Sequence, residues 1–238
     1  MILIVAAMDE EVAAVSERMA DIRKENHSHV HFIVGKLAGS TIVLMKSGVG
    51  KGSAAMSMSI AMEHYPVTQV FNVGTAGGLT KEEDVLDLVI SSRVVQYDYD
   101  TSPLDGPEGK GLWFDADPSL MKAAMQVSEE LMLRTHTGLI ASGDRFVNRP
   151  LAYDLIKEFP KAICAEMEAG SIAQVCAHYG VPFVILRSLS DVAIKDGNHL
   201  TFDEYKILAS QRSAQLCEGF VHHLNRNEEQ QAPACFFF

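Results

Sequence analysis

Residues 1–12 read MILIVAAMDEEV, an unbroken apolar run that gives way abruptly to a cluster of acids. Residues 1–7 show no polar alternation, which is the pattern of a strand covered on both faces. From Asp9 to Ala20 the apolar residues Val12, Val15 and Met19 recur at helical spacing, so the acids stand where a strand hands over to a helix.

The same alternation continues outward along the chain. Residues 31–34 and 41–45 read as strands around a turn at Gly39 and Ser40, and the Ala- and Met-rich residues 51–64 read as a helix following SGVGKG (47–52). A strand over 67–73 ends in GTAGGL (74–79), and another over 86–97 leads into one long loop up to Gly111, rich in Gly, Pro and Asp. Helix 118–134 is expected behind a capping Asp117 with Pro118 in its first turn. Strand 137–142 runs into GDRF (143–146), helix 151–159 is stopped by Pro160, and a helix after the extended 162–165 is closed by Gly180. A strand over 182–189 delivers SLSD (188–191), and residues 203–224 form the last helix. Alternating strands and helices predict a single α/β domain over residues 1–225, a sandwich around a mostly parallel sheet whose ligand sits beyond the strands' carboxyl ends. Residues 226–238, polar and then abruptly CFFF, read as a disordered tail.

Composition narrows the function. With 238 residues and 47% hydrophobic content the chain can bury a large core. A net charge of −11 argues against nucleic acid or an anionic membrane as partner, since both require a basic surface. It leaves an uncharged nucleoside open. Cys164, Cys176, Cys217 and Cys235 form no CxxC pair and read as reduced thiols rather than metal ligands. The opening run lacks a basic leader, and no apolar stretch approaches the roughly 20 residues a bilayer requires, so a cytoplasmic location is expected.

Three chemical motifs fail. SGVGKG is not a phosphate loop, because Lys51 is followed by Gly52 rather than Ser or Thr, and Ser53 occupies the place of a third Rossmann glycine. His27, His29 and His31 would share a face on one strand, but no further ligand type lies at suitable spacing, so a solvated face is expected. No GxSxG elbow is present to serve a Ser-His-Asp hydrolase. What remains is a set of carboxylates at strand ends: Glu10 and Glu11, Glu166 and Glu168 in AEMEAGS, and Asp191. Each alone would be an ordinary cap or dipole partner. Together they suit cleavage of a glycosidic bond, which needs an acid for the leaving group and a base for water.

These stretches resemble the nucleoside phosphorylase and nucleosidase superfamily, and within it the 5′-methylthioadenosine/S-adenosylhomocysteine nucleosidases. The resemblance rests on AAMDEEV (6–12), LMKSGVGK (44–51), NVGTAGGL (72–79), ASGDRFV (141–147), AEMEAGSIAQVC (165–176), VPFVILRSLSDVA (181–193) and HLTFDEY (199–205). It implies a three-layer αβα sandwich with a mixed, partly barrel-like central sheet, a homodimer, and no metal or other cofactor. It also implies roles. Glu11 activates water, with Met8 against the ribose beside it; Met167 and Glu168 bind the ribose. Asp191 is the acid at purine N7, oriented by Ser190. Phe146 stacks on adenine while the backbone at Val147 reads the base edge, Thr75 stands where many relatives carry serine, Arg187 supports the site, and Phe202 lies near ribose and base. Glu166 is expected to be a structural partner outside catalysis.

The AMDEEV loop holds glutamates and no basic residue, which suits water and repels a phosphate dianion, so hydrolysis is favoured over phosphorolysis. Segment 97–115 differs from typical relatives; it is the part that the resemblance places near the neighbouring subunit's site, with Leu104 or Trp113 covering the 5′-substituent. The alternatives are a phosphorylase, a nucleosidase for futalosine-like or 5′-deoxyadenosine substrates, and a nucleoside-binding protein without catalysis.

Overall fold

Leu3, Ile4, Val5 and Ala6 are all fully buried, but against different partners. Successive strand side chains point to opposite faces. Leu3 and Val5 pack in one cluster with Ala54, Met58, Ile172 and Cys176. Ile4 and Ala6 pack in another with Val15, Leu120, Ala124 and Phe220. The first strand is therefore apolar throughout because helices cover both of its faces.

The computed structural model describes residues 1–195 and 202–231. The chain begins β1 (Ile2–Ala6), α1 (Asp9–Ser16), β2 (Ala20–His27), β3 (Val30–Leu37), β4 (Ser40–Lys46), α2 (Lys51–His64) and β5 (Gln69–Gly78). It continues through β6 (Leu88–Asp100), α3 (Ser102–Asp105), a 3-10 turn (Gly106–Gly109), β7 (Lys110–Asp115), α4 (Pro118–Glu130) and β8 (Thr135–Ser142). It closes with α5 (Arg149–Glu158), β9 (Ala162–Glu166), α6 (Ala169–Tyr179), β10 (Phe183–Val192) and α7 (Phe202–Gln231).

The strands form one ten-stranded sheet ordered β10-β6-β8-β9-β5-β1-β4-β3-β2, with β7 on β6. Because β10 also pairs with β5, the first part of that order closes on itself as a small barrel, and the remaining strands extend from it as an open sheet. Helices α2 and α6 cover one face, and α1, α4 and α7 the other. Helix α5 seals the barrel's flank through Leu151, Ala152 and Leu155. This is the expected three-layer αβα arrangement with a mixed sheet. Parallel pairings (β1 with β4 and β5, β5 with β10, β6 with β8, β8 with β9) are matched by as many antiparallel ones, so the sheet is not mostly parallel.

Several local expectations are met. Asp117 caps α4 by accepting from the Ser119 and Leu120 N–H groups, and Gly180 ends α6 in the left-handed conformation. Others need correction. Helix α1 stops at Ser16, and residues 20–27 form an exposed edge strand, β2, whose polar sequence carries no alternating pattern. The supposed loop before Gly111 contains the end of β6, α3 and the 3-10 turn, and Gly111 itself belongs to β7. Helix α7 runs on to Gln231, seven residues past 224; the part of the tail over 232–238 lies outside the described residues. The three histidines do not share one strand: His27 ends β2, His29 lies in the turn and His31 is in β3.

Candidate active site

Three strand ends bring carboxylates together. The first belongs to β1, where Glu11 sits in the opening turn of α1. Its Oε2 accepts from the backbone N–H of Ala7 (2.8 Å) and Met8 (3.1 Å), and its Oε1 from the N–H of Thr75 (3.0 Å). The Thr75 hydroxyl lies 3.4 Å from the same oxygen. Glycine is required at position 74 for this approach: a Cβ there would stand 2.7 Å from Glu11 Oε1, and φ is +157°.

The second carboxylate follows β9. Glu168 immediately precedes α6 at its N-cap position, and its Oε1 accepts from the N–H of Gly50 at 2.9 Å. The glycine-rich SGVGKG turn thus supplies a backbone donor to a carboxylate, and Lys51's N–H is taken in turn by Asp144 Oδ1 at 2.7 Å. The third is Asp191 on β10. The register between β5 and β10 slips there, with Leu189 opposite Ala76 and Asp191 opposite Gly77. Ser190 is the extra residue of that bulge, which re-aims the side chains at the strand's end. Its hydroxyl donates to Asp191 Oδ1 at 2.9 Å.

Glu11, Glu168 and Asp191 line a single cleft of about 260 Å³. Its walls are largely apolar, with Met8, Ala76, Val147 and Met167 beside the acids and Phe146 at the exposed rim. Burial raises all three carboxyl groups above their ordinary range. For Glu168, Glu166's charge adds to burial, while Arg187 and the Gly50 N–H act against it. For Glu11, Arg187 and the backbone donors oppose burial. For Asp191 only the Ser190 hydrogen bond does so. The environments therefore differ in kind: both glutamates face a cation, and Asp191 has none among the described residues.

Arg187, expected to support the site, stands outside the wall of the cleft. It is fully buried behind the cleft. Its Nη2 donates to Glu166 Oε2 at 2.6 Å and also to Asn72 Oδ1. It acts on the site through carboxylates. Phe202 is the first residue of α7, and its side chain lies outside the described residues. The other expected residues, Met8, Thr75, Phe146, Val147, Met167 and Ser190, all line the cleft. Val49, Ala165, Arg145 and Glu166 join them without having been singled out for contact with a ligand. All four lie in stretches that carry the resemblance: Val49 in LMKSGVGK, Arg145 in ASGDRFV, and Ala165 and Glu166 in AEMEAGSIAQVC. No cluster of His, Cys, Asp or Glu among the described residues could hold a metal ion.

A family model described as the phosphorylase superfamily matches residues 1–222. A 5′-methylthioadenosine/S-adenosylhomocysteine nucleosidase of Geobacillus sp. (strain WCH70) is 38% identical over 231 residues, covering 94% of this chain and 99% of the relative. The chain belongs to the phosphorylase superfamily, in its 5′-methylthioadenosine/S-adenosylhomocysteine nucleosidase family. Two solved structures agree with that placement. The nucleosidase of Neisseria meningitidis, in complex with methylthio-immucillin-A, superposes with a TM-score of 0.87 at 31% identity, covering 93% of this chain and 98% of the other. The futalosine hydrolase of Helicobacter pylori strain 26695 superposes with a TM-score of 0.85 at 31% identity, covering 92% and 96%. Nucleosidase relatives thus share this fold over nearly their full lengths.

Proposed function

We infer that this chain hydrolyses the N-glycosidic bond of 5′-methylthioadenosine and S-adenosylhomocysteine, releasing adenine and the corresponding 5-thioribose. The observation that carries the reading is the convergence of Glu11, Glu168 and Asp191 on one largely apolar cleft. Adenine leaves poorly as an anion, so N7 must gain a proton as the bond breaks. Asp191, raised by burial and without a cation beside it among the described residues, holds that proton and passes it to N7. Phe146 at the rim stacks on the base, and the Val147 backbone reads its edge. Glu168 accepts from the ribose hydroxyls and lends negative potential where positive charge grows on the sugar, with Met8 and Met167 packing beside it. Glu11, held by three backbone donors, orients and deprotonates a water on the opposite face. Thr75 keeps Glu11 in place.

Water rather than phosphate is the nucleophile. Among the described residues the charged lining of the cleft is Glu11, Glu166, Glu168 and Asp191 together with Arg145, which is exposed. A dianion next to buried acids would be repelled. Incubating the protein with methylthioadenosine, S-adenosylhomocysteine and inosine, with and without phosphate, tests this. Adenine release that is indifferent to phosphate agrees with hydrolysis; release that needs phosphate and yields a ribose 1-phosphate would overturn it. Because a futalosine hydrolase shares the fold, futalosine belongs in the same assay as a competing substrate.

The functional unit is a homodimer, with segment 97–115 close to the neighbouring subunit's site. Leu104 in α3 and Val49 at the cleft are exposed apolar side chains that a second subunit would cover. The enzyme works in the cytoplasm; no helix among the described residues is long and apolar enough to cross a membrane.

A further inference from the structure

Glu166 is the carboxylate that the mechanism above leaves unused. Its side chain is almost fully buried, and its Oε2 accepts from three groups at once: Arg187 Nη2 at 2.6 Å, the N–H of Glu168 at 3.1 Å and the N–H of Ala169 at 2.8 Å. The backbone carbonyl of the same residue accepts from the N–H of Gly143, at the base of the loop that carries Phe146 and Val147. Its Oε1 and the Nε of Arg187 are both buried without a partner among the described residues. One side chain therefore ties the Met167–Glu168 turn to the buried arginine, and its backbone ties both to the base-binding loop.

The geometry points to Glu166 as a positioning residue for the reaction, acting through Arg187 and through the turn that sets the Glu168 carboxylate against the ribose. This rests on the nucleosidase reading. Arg187 is the buried cation that Glu11, Glu166 and Glu168 share, and Glu166 binds it directly. By engaging the arginine, Glu166 decides how much positive potential reaches the other two acids. By accepting two N–H groups at the start of α6, it fixes where the Glu168 side chain departs from the backbone. The titratable groups facing Glu166 are Arg187 from β10, Glu168 from its own turn, Tyr97 from β6 and Cys164 from β9; Glu11 from α1 lies within reach of Arg187 and Glu168.

Replacing the charge while keeping the shape tests the idea. In Glu166→Gln the repulsion of Glu168 by Glu166 disappears and Arg187 is freer to serve Glu11 and Glu168. Both effects lower the pH at which those acids ionise. The acid limb of the kcat/KM profile for methylthioadenosine should move to lower pH by about half a unit or more. With Arg187 and the turn loosened, kcat should fall about tenfold or more while KM changes less than about threefold. Glu166→Asp, which restores the charge on a shorter stem, should return the limb toward its wild-type position without restoring kcat. A Glu166→Gln enzyme with a wild-type limb and wild-type kcat would overturn the proposal. So would collapse of both variants to unfolded protein in thermal melts, which would make Glu166 a folding requirement. Failure of the wild-type protein to release adenine would instead sink the functional reading, so the two failures are distinguishable.

Discussion

Asp191, Glu11 and Glu168 share one cleft, yet the chemistry asks opposite things of them. The acid must hold a proton while the base takes one from water. Burial pushes all three upward, but Arg187 pulls only on the glutamates. The raised Asp191 makes a prediction of fixed sign. A carboxyl whose folded pKa lies above its unfolded value stabilises the fold at low pH and costs stability as pH rises through the folded value. Asp191→Asn should therefore melt higher than wild type at alkaline pH, with little or no gain at low pH. It should also lose about a hundredfold to ten-thousandfold in kcat, the range for removing a general acid. Calorimetry across pH and initial-rate assays check the two halves. A variant that keeps near-normal turnover would remove Asp191 from its role. Glu11→Gln should lose activity on a similar scale, and substrates lacking the 2′-hydroxyl should react slowly if Glu168 grips it.

At the scale of elements, the site depends on backbone as much as on side chains. Gly74 lets Glu11 approach β5, and a Cβ at that position would collide with its carboxylate. Gly74→Ala should displace Glu11 and lower kcat by at least about tenfold while the protein stays folded, as read by circular dichroism and rates on the same preparation. Unchanged rates would show that the carboxylate has slack. Legibility in the sequence divides along similar lines. The apolar run of β1 and the helix after it were readable because burial on both faces leaves a continuous pattern. ADIRKENH was not readable as β2, because an exposed edge strand is free to be polar on both faces. Likewise β7 follows Gly- and Pro-rich turns, and its pairing with β6 is set by distant residues. The types of the site residues could be read from motifs, but the Gly50 N–H that holds Glu168 could not. A backbone donor leaves no mark on residue identity. Arg187 was recognisable as belonging to the site, whereas its depth behind the wall depends on how β10 packs.

On the scale of the whole molecule, closing β5, β9, β8, β6 and β10 into a barrel and extending β1 from it gathers three strand ends around one cleft. That closure was legible only through resemblance to a family, because periodicity shows strands without showing which ones pair. The same architecture leaves Leu104 exposed on α3. If a second subunit covers it, Leu104→Asp should shift the protein from dimer to monomer in sedimentation and raise KM for methylthioadenosine, and a wild-type protein that is monomeric at working concentration would remove the dimer from the reading. The most direct test of the mechanism is the protonation state of its acid. Infrared difference spectra of aspartate-labelled wild type and Asp191→Asn at neutral pH should contain a neutral-carboxyl band that the variant lacks, strengthened when an unreactive adenine nucleoside analogue fills the cleft. An Asp191 found fully ionised in both the free and the occupied enzyme would contradict the proposed transfer of a proton to purine N7.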